Sequence, residues 1–252
     1  MTTDSGLDGT IVVVTGAGSG IGRATALRLA LAGGTIVAAD INTDSAGHTA
    51  ELISQAGGTS RPATVDISDP ASVAAFHQSV LDVEGRCDVL VNNAGWEDIR
   101  PFVDTTRDFW ERIFSINLLG PISVTRAFLT EMIERGSGVI VNVASDAGRV
   151  GSTGEVVYSG AKGGVIAFSK GLAREMARHG IRVNCVSPGP TDTPAFARVP
   201  ERLQQALIRA IPLRRLAAPE DVANAINFFA SPDSSYLTGQ VLSVNGGLTM
   251  VD

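Results

Sequence analysis

Residues 10–22 read Thr10-Ile11-Val12-Val13-Val14-Thr15-Gly16-Ala17-Gly18-Ser19-Gly20-Ile21-Gly22, and this stretch decides the fold. Its unbroken apolar run reads as a strand buried on both faces, which requires helices above and below. The glycines that follow permit backbone angles and close approaches that a Cβ would block. A helical pattern opens at Gly20, with Leu27, Leu29 and Leu31 among its apolar positions. A helix N-terminus placed there offers free N–H groups and partial positive charge to a pyrophosphate. Gly16, Gly20 and Gly22 follow a GxxxGxG spacing, with Ser19 and Ile21 between them, so strand-before and helix-after carry the reading. A purely structural glycine turn would use the same residues.

Outward from this unit the pattern repeats. Apolar runs predict strands at 10–15, 35–40, 61–66, 88–92, 138–144, 181–187 and 240–244. Helical patterns fall at 20–32, 44–56, 70–84, 105–114, 121–135, 155–179, 201–209 and 219–230. Alternating β and α units give an α/β fold, a doubly wound parallel sheet of Rossmann type with helices on both faces. No linker or internal repeat divides it, so residues 1–252 are read as one dinucleotide-binding catalytic domain. Residues 190–212 break the rhythm with Pro190, Pro194, Pro200 and Pro212 around a short helical piece. A loop of that size past a strand end predicts a substrate lid.

Composition narrows the classes. Of 252 residues, 44% are hydrophobic and 18% charged, the balance of a globular chain with a large core. The net charge of -6 and the lack of a basic stripe argue against nucleic acid. No apolar run is read as long enough to span a bilayer, and residues 1–10 lack a signal-peptide segment, so the cytoplasm is expected. Cys87 and Cys185 form no CxxC pair, and His48, His77 and His179 do not cluster, so no metal site is expected.

Asp40 ends the second strand, where a carboxylate accepts hydrogen bonds from the hydroxyls of an adenosine ribose and repels a 2′-phosphate. Ile41 and Asn42 follow, supplying no adjacent cation for that phosphate, so the cofactor is read as NAD. A helix-capping Asp would look the same. Asp66, with Ile67 beside it, ends the third predicted strand and could hold the adenine side on similar grounds.

Tyr158 and Lys162 stand four residues apart and share a helix face. A nearby ammonium favours phenolate and would bring a tyrosine toward the range of a useful acid/base. Such pairs are also ordinary on helix surfaces. Ser145, just past the strand 138–144, lies where α/β sheets bind ligands and could donate to a substrate oxygen. Asn92-Asn93-Ala94-Gly95 could brace the central sheet, and Asn117 is a polar residue among apolar ones that needs buried partners.

In this order TGAGSGIG at 15–22, Asp40, NNAG at 92–95, Asn117, Ser145, YSGAK at 158–162 and Pro188-Gly189 resemble the short-chain dehydrogenase/reductase family over the whole chain. The resemblance implies a catalytic tetrad. Tyr158 would be the acid/base, Ser145 would orient the carbonyl, Lys162 would also bind the nicotinamide ribose, and Asn117 would help hold a proton-relaying water. Asn93, Ala94 and Gly95 would line the cofactor, and Pro188, Gly189, Thr191 and Thr193 would contact its nicotinamide side. The hydride chemistry itself would belong to the cofactor.

Residues 144–155, 188–193 and Asn93-Ala94-Gly95-Trp96 are further similar to 2-hydroxycyclohexanecarboxyl-CoA dehydrogenases, which oxidise a hydroxyl beta to a thioester. That resemblance implies a small-molecule substrate, with a CoA thioester as the leading class. Trp96 could line the pocket or be a structural tryptophan. Arg149 could meet an anionic substrate or pair locally with Glu155. A 3-oxoacyl-thioester reductase of fatty-acid type is the alternative, weakened by Asp40 because such reductases usually prefer NADPH. A non-catalytic cofactor-binding or scaffolding protein is the alternative from another class. Relatives are typically homotetramers, and Gly160, Ala161, Gly163, Gly164 and Ala167 would permit close helix contact between subunits or within one.

Overall fold

A computed structural model describes residues 6–251; residues 1–5 of the polar N-terminal stretch, and Asp252, lie outside the described residues. Seven strands form one sheet: β1 (Ile11–Thr15), β2 (Thr35–Asp40), β3 (Thr59–Thr64), β4 (Val89–Asn92), β5 (Gly138–Val143), β6 (Ile181–Pro188) and β7 (Val241–Val244). Their order is β3-β2-β1-β4-β5-β6-β7, and every neighbouring pair is parallel. The chain therefore winds outward one way from β1 and the other way from β4. That reversal leaves a crevice at the carboxyl ends of β1 and β4, where open α/β sheets bind ligands.

The helices are α1 (Gly20–Leu31), α2 (Thr43–Gln55), α3 (Pro70–Glu84), α4 (Arg107–Phe114), α5 (Gly120–Arg135), α6 (Ala147–Val150), α7 (Val156–Met176), α8 (Glu201–Ala210) and α9 (Pro219–Ala230). Side chains alternate across a strand, so β1 feeds two cores. Val12 and Val14 pack with Leu29 of α1 and Ile226 and Phe229 of α9. Val13 packs on the other face with Phe76 of α3 and Phe128 and Met132 of α5. The continuous apolar reading of the central strands is thus explained by burial from both sides.

Several boundaries differ from expectation. β3 begins and ends two residues early, at Thr59–Thr64, and Asp66 lies in the loop beyond it. Pro62 sits within β3 and pairs on one side only, with β2, as an edge strand allows. The helices expected at 105–114 and 121–135 are joined by a π-turn, Ser115–Leu119. The joined helix Arg107–Arg135 is long and apolar enough to cross a membrane, which corrects the expectation of no such run. Its apolar face is turned inward, with Val124, Phe128 and Met132 fully or almost fully buried. The predicted helix 155–179 ends at Met176 and continues as a 3-10 turn over Ala177–His179. The short helix α6 was not expected at all.

Candidate active site

The glycine turn is built by contacts that exclude side chains. A Cβ on Gly22 would lie 2.0 Å from the Gly16 carbonyl oxygen, so α1 can meet the turn only through glycine. Gly16 has φ +67°, and a Cβ there would stand 2.8 Å from Ala94 Cα. Asn93 Nδ2 donates to the carbonyls of Thr15 and Gly16 at 3.0 and 3.2 Å, and Thr15 Oγ1 accepts from the N–H groups of Asn93 and Ala94. The 92–95 segment therefore braces the turn itself. At the head of α1, Ser19 is extended and its side chain makes no capping bond, leaving the first-turn N–H groups for an anion.

Asp40 does not cap α2. Asn42 does, accepting from the N–H of Ser45 at 2.9 Å. The Asp40 carboxylate instead accepts from the N–H groups of Gly18 and Asn42. It thus borders the glycine turn. Ile41 beside it is exposed, and no cation follows on the strand end. Asp66 Oδ1 is engaged by the N–H and hydroxyl of Ser68, and Ile67 is buried against Gly120. Thr193 lies over the turn: a Cβ on Gly20 would be 3.2 Å from Thr193 Cγ2. Thr191 donates to the carbonyl of Gly189, and the Gly189 N–H donates to Val244. The cradle of glycines, the uncapped helix head and the flanking carboxylate fit a dinucleotide. Among the described residues no three His, Cys, Asp or Glu side chains come together.

Asn117 sits in the π-turn, fully buried. Its Nδ2 donates to the carbonyls of Ile113 and Trp96 at 3.0 and 2.7 Å, and its Oδ1 accepts from the Trp96 N–H at 3.1 Å. A π-turn disrupts the regular helical ladder, and the amide satisfies a carbonyl one turn back while fixing the 95–97 backbone. Gly95 lacks the Cβ that would stand 2.9 Å from Asn117 Oδ1. Beneath, Asn92 Nδ2 donates to Thr125 and to Asn142 Oδ1, and Asn142 donates to Ser169 on α7.

α7 brings Tyr158 and Lys162 to the end of β5, facing Ser145. A hydrogen bond from Ser145 favours the Tyr158 phenolate, but burial, followed by Glu97 and Glu155, pushes the phenol above its usual range. Lys162 is buried, donates from Nζ to the Val143 carbonyl at 2.8 Å, and lies 5.7 Å from the Tyr158 ring centroid. Burial pulls its own pKa down to about 8, with Glu97 opposing. The lowering expected from Lys162 does not set the direction here: burial and the carboxylates of Glu97 and Glu155 raise the phenol, and the lowering contribution comes from Ser145.

Glu97 escaped the sequence reading. Burial raises its own pKa, Glu155 adds to that, and Lys162 opposes it. The available signal was its place two residues past the NNAG turn at the end of β4. Trp96 is half-buried, edge-to-face with Phe109 at 5.9 Å between centroids, with the Arg112 guanidinium 4.0 Å from its ring centroid. A small pocket reaches Tyr158 past Arg100, Phe109, Gly154 and Glu155.

Arg149 is a second correction. It donates to Ser243 Oγ at 2.8 Å and to the Val251 carbonyl at 3.2 Å, so it neither pairs with Glu155 nor faces the pocket. Glu155 instead takes the hydroxyl of Ser152. Buried Asp146 accepts from Ser243 and Asn245, and its N–H donates to Pro188. Together these bonds tie the ends of β5, β6 and β7 to the C-terminal segment.

A family profile described as enoyl-(acyl carrier protein) reductase matches residues 16–249. The 3-oxoacyl-[acyl-carrier-protein] reductase FabG of Thermotoga maritima is 38% identical over 97% of this chain and 99% of its own. The chain belongs to the short-chain dehydrogenase/reductase family. Within that family, the (2S)-[(R)-hydroxy(phenyl)methyl]succinyl-CoA dehydrogenase subunit BbsD of Thauera aromatica is also 38% identical, over 97% of this chain and 98% of its own. A 7 alpha-hydroxysteroid dehydrogenase solved with NADH and 7-oxo glycochenodeoxycholic acid superposes with a TM-score of 0.93 at 33% identity, covering 97% of this chain and 96% of that one. As a short-chain dehydrogenase/reductase the chain is an oxidoreductase, and its glycine turn suits a nicotinamide dinucleotide.

Proposed function

We propose that this chain interconverts a secondary alcohol and a ketone on a β-hydroxyacyl thioester, using NAD, with an alicyclic CoA ester such as 2-hydroxycyclohexanecarboxyl-CoA as the leading substrate. The observation that carries it is the convergence of Ser145, Tyr158 and buried Lys162 at the end of β5, beside a glycine turn bordered by Asp40. The nicotinamide, when bound, supplies the hydride acceptor or donor. The chain handles the proton. Ser145 holds the substrate oxygen, and Tyr158 Oη takes the hydroxyl proton during oxidation or returns it during reduction. Lys162 would hold the nicotinamide ribose, and its Nζ lies 5.7 Å from the Tyr158 ring centroid. Asn117 fixes the backbone of Trp96 just past the NNAG turn.

NAD is supported by the Asp40 carboxylate, which would meet a 2′-phosphate with like charge. The thioester is supported by the hydroxyacyl-CoA and oxoacyl-carrier relatives at 38% identity. The same similarity to the Thermotoga maritima reductase favours a second reading, a 3-oxoacyl-thioester reductase running on NADPH. An absorbance screen with both cofactors against hydroxyacyl-CoA thioesters, free hydroxy acids and simple alcohols separates them. Preference for simple alcohols would defeat the thioester reading, and preference for NADPH would favour the second.

Two further parts belong to this proposal. Residues 190–212 act as the lid, supported by Thr193 against Gly20 and by α8, none of whose residues is buried. The chain works as a homotetramer, supported by exposed Phe114, Leu119 and Val156 on the neighbouring helices α4 and α7 and the π-turn between α4 and α5. A monomer mass in light scattering would overturn the latter.

A further inference from the structure

We propose that Arg112, held on the face of Trp96 beside the Phe109–Arg100 pair, forms the seat for the phosphate at the head of a pantetheine-type carrier arm. The proposal rests on the thioester reading above and names the part of the substrate that lies outside the reaction centre.

Four side chains make a ladder that starts from the pocket wall at Arg100 and Phe109 and runs to Trp96 and Arg112. The Arg112 guanidinium lies 4.0 Å from the Trp96 centroid, the Trp96 and Phe109 rings meet edge to face at 5.9 Å, and the Arg100 guanidinium lies 4.6 Å from the Phe109 centroid. Stacking on a ring fixes a guanidinium and leaves its N–H edge free for a planar or tetrahedral anion. Arg100 is paired with Asp98, and neighbouring Arg107 with Glu111. Arg112, exposed on α4, makes no ion pair among the described residues. Phe109 and Arg100 also line the pocket that ends at Tyr158, so the ladder is continuous with the reaction site.

Charge along this path is sorted. Glu155 lines the same pocket as Tyr158, and the charges of Glu97 and Glu155 both raise the phenol's proton affinity. An anionic group at the reacting carbon would be repelled there, whereas a thioester is neutral. The uncompensated cation lies outward, at Arg112. A ligand neutral at its reacting end and anionic at its far end matches that order. A phosphate on a pantetheine arm has it, whether the arm carries a nucleotide or is attached to a carrier protein.

The test uses the full chain with one acyl group, 3-hydroxybutyryl, on three thiols: CoA, phosphopantetheine and N-acetylcysteamine, the last without phosphate. Arg112→Ala is expected to raise KM roughly tenfold for the first two, the loss of one charge-assisted contact, with kcat and the N-acetylcysteamine KM unchanged. Arg112→Lys is expected to recover part of the loss, since it restores charge without the stacked plane. Melting temperatures of both variants guard against misfolding. Equal KM changes for all three thioesters, or no change, would overturn the arginine seat while leaving the thioester reading intact. An effect on CoA alone would also overturn it, because the seat would then recognise the nucleotide. A wild-type chain that turned over none of the three would overturn both.

Discussion

The Oδ2 of Asp40 accepts the N–H of Gly18 at 2.8 Å, which ties the end of β2 to the glycine turn after β1. The carboxylate is therefore fixed in place before any ribose arrives. Asp40→Ala removes a charged acceptor worth about 1.5–3 kcal/mol per hydrogen bond. The expected result is a fall in kcat/KM with NAD of roughly tenfold to a hundredfold, with NADP affected far less. Equal efficiency of the wild type with both cofactors would remove the role given to Asp40.

Tyr158 lies between a hydrogen bond from Ser145 and the two carboxylates of Glu97 and Glu155. Tyr158→Phe keeps the ring and deletes the proton carrier. Loss of general acid/base catalysis is expected to lower kcat by about a hundredfold to ten-thousandfold. Cofactor binding, followed by protein fluorescence, should survive. A variant that turned over at the wild-type rate would end the assignment.

Glu97 gives a pH prediction with a definite sign. Its negative charge raises the pKa of both Tyr158 and Lys162. Glu97→Gln removes that charge, so both groups lose their protons more readily. Alcohol oxidation needs the phenolate, so the acid limb of its kcat profile should move to lower pH. An unshifted limb, or one displaced to higher pH, would show that Glu97 does not act on Tyr158.

Legibility from sequence followed local chemistry. The glycine turn, the strand-helix alternation and YSGAK could be read because each meets its requirement within a few neighbours. Positions set by distant chain were not legible. β3 was misplaced because an edge strand with Arg61 and Pro62 carries only a broken apolar run. The π-turn at Asn117 depends on carbonyls of Ile113 and Trp96 that no spacing announces. Glu97 matters only because α7 delivers Tyr158 beside it. Arg149 was misread for the same reason, since its partners lie 94 and 102 residues away.

Arg149 should accordingly behave as a structural residue. Arg149→Ala breaks two hydrogen bonds that hold β7 and the C-terminal segment, each worth about 1 kcal/mol. The melting temperature is expected to fall by about 4–8 °C. Substrate KM should stay within a factor of about two, since no contact with the pocket is lost. A selective rise in KM for anionic substrates, without a drop in melting temperature, would restore the ligand-binding role.

Two glycines separate steric need from habit. Gly22 meets the Gly16 carbonyl so closely that a Cβ would sit 2.0 Å from its oxygen, and the clash involves backbone that cannot rotate away. Gly47, inside α2, has no heavy atom within 4 Å of its virtual Cβ. Gly22→Ala should therefore cost about 3 kcal/mol or more, with loss of cofactor binding as the turn is forced open. Gly47→Ala should stabilise the chain by about 0.5–1 kcal/mol, because alanine is the better helix former and loses less entropy on folding. Urea unfolding of both variants reads the difference directly. If Gly22→Ala unfolded at the wild-type midpoint and still bound cofactor, the close turn-to-helix contact would not be what the glycine is there to provide.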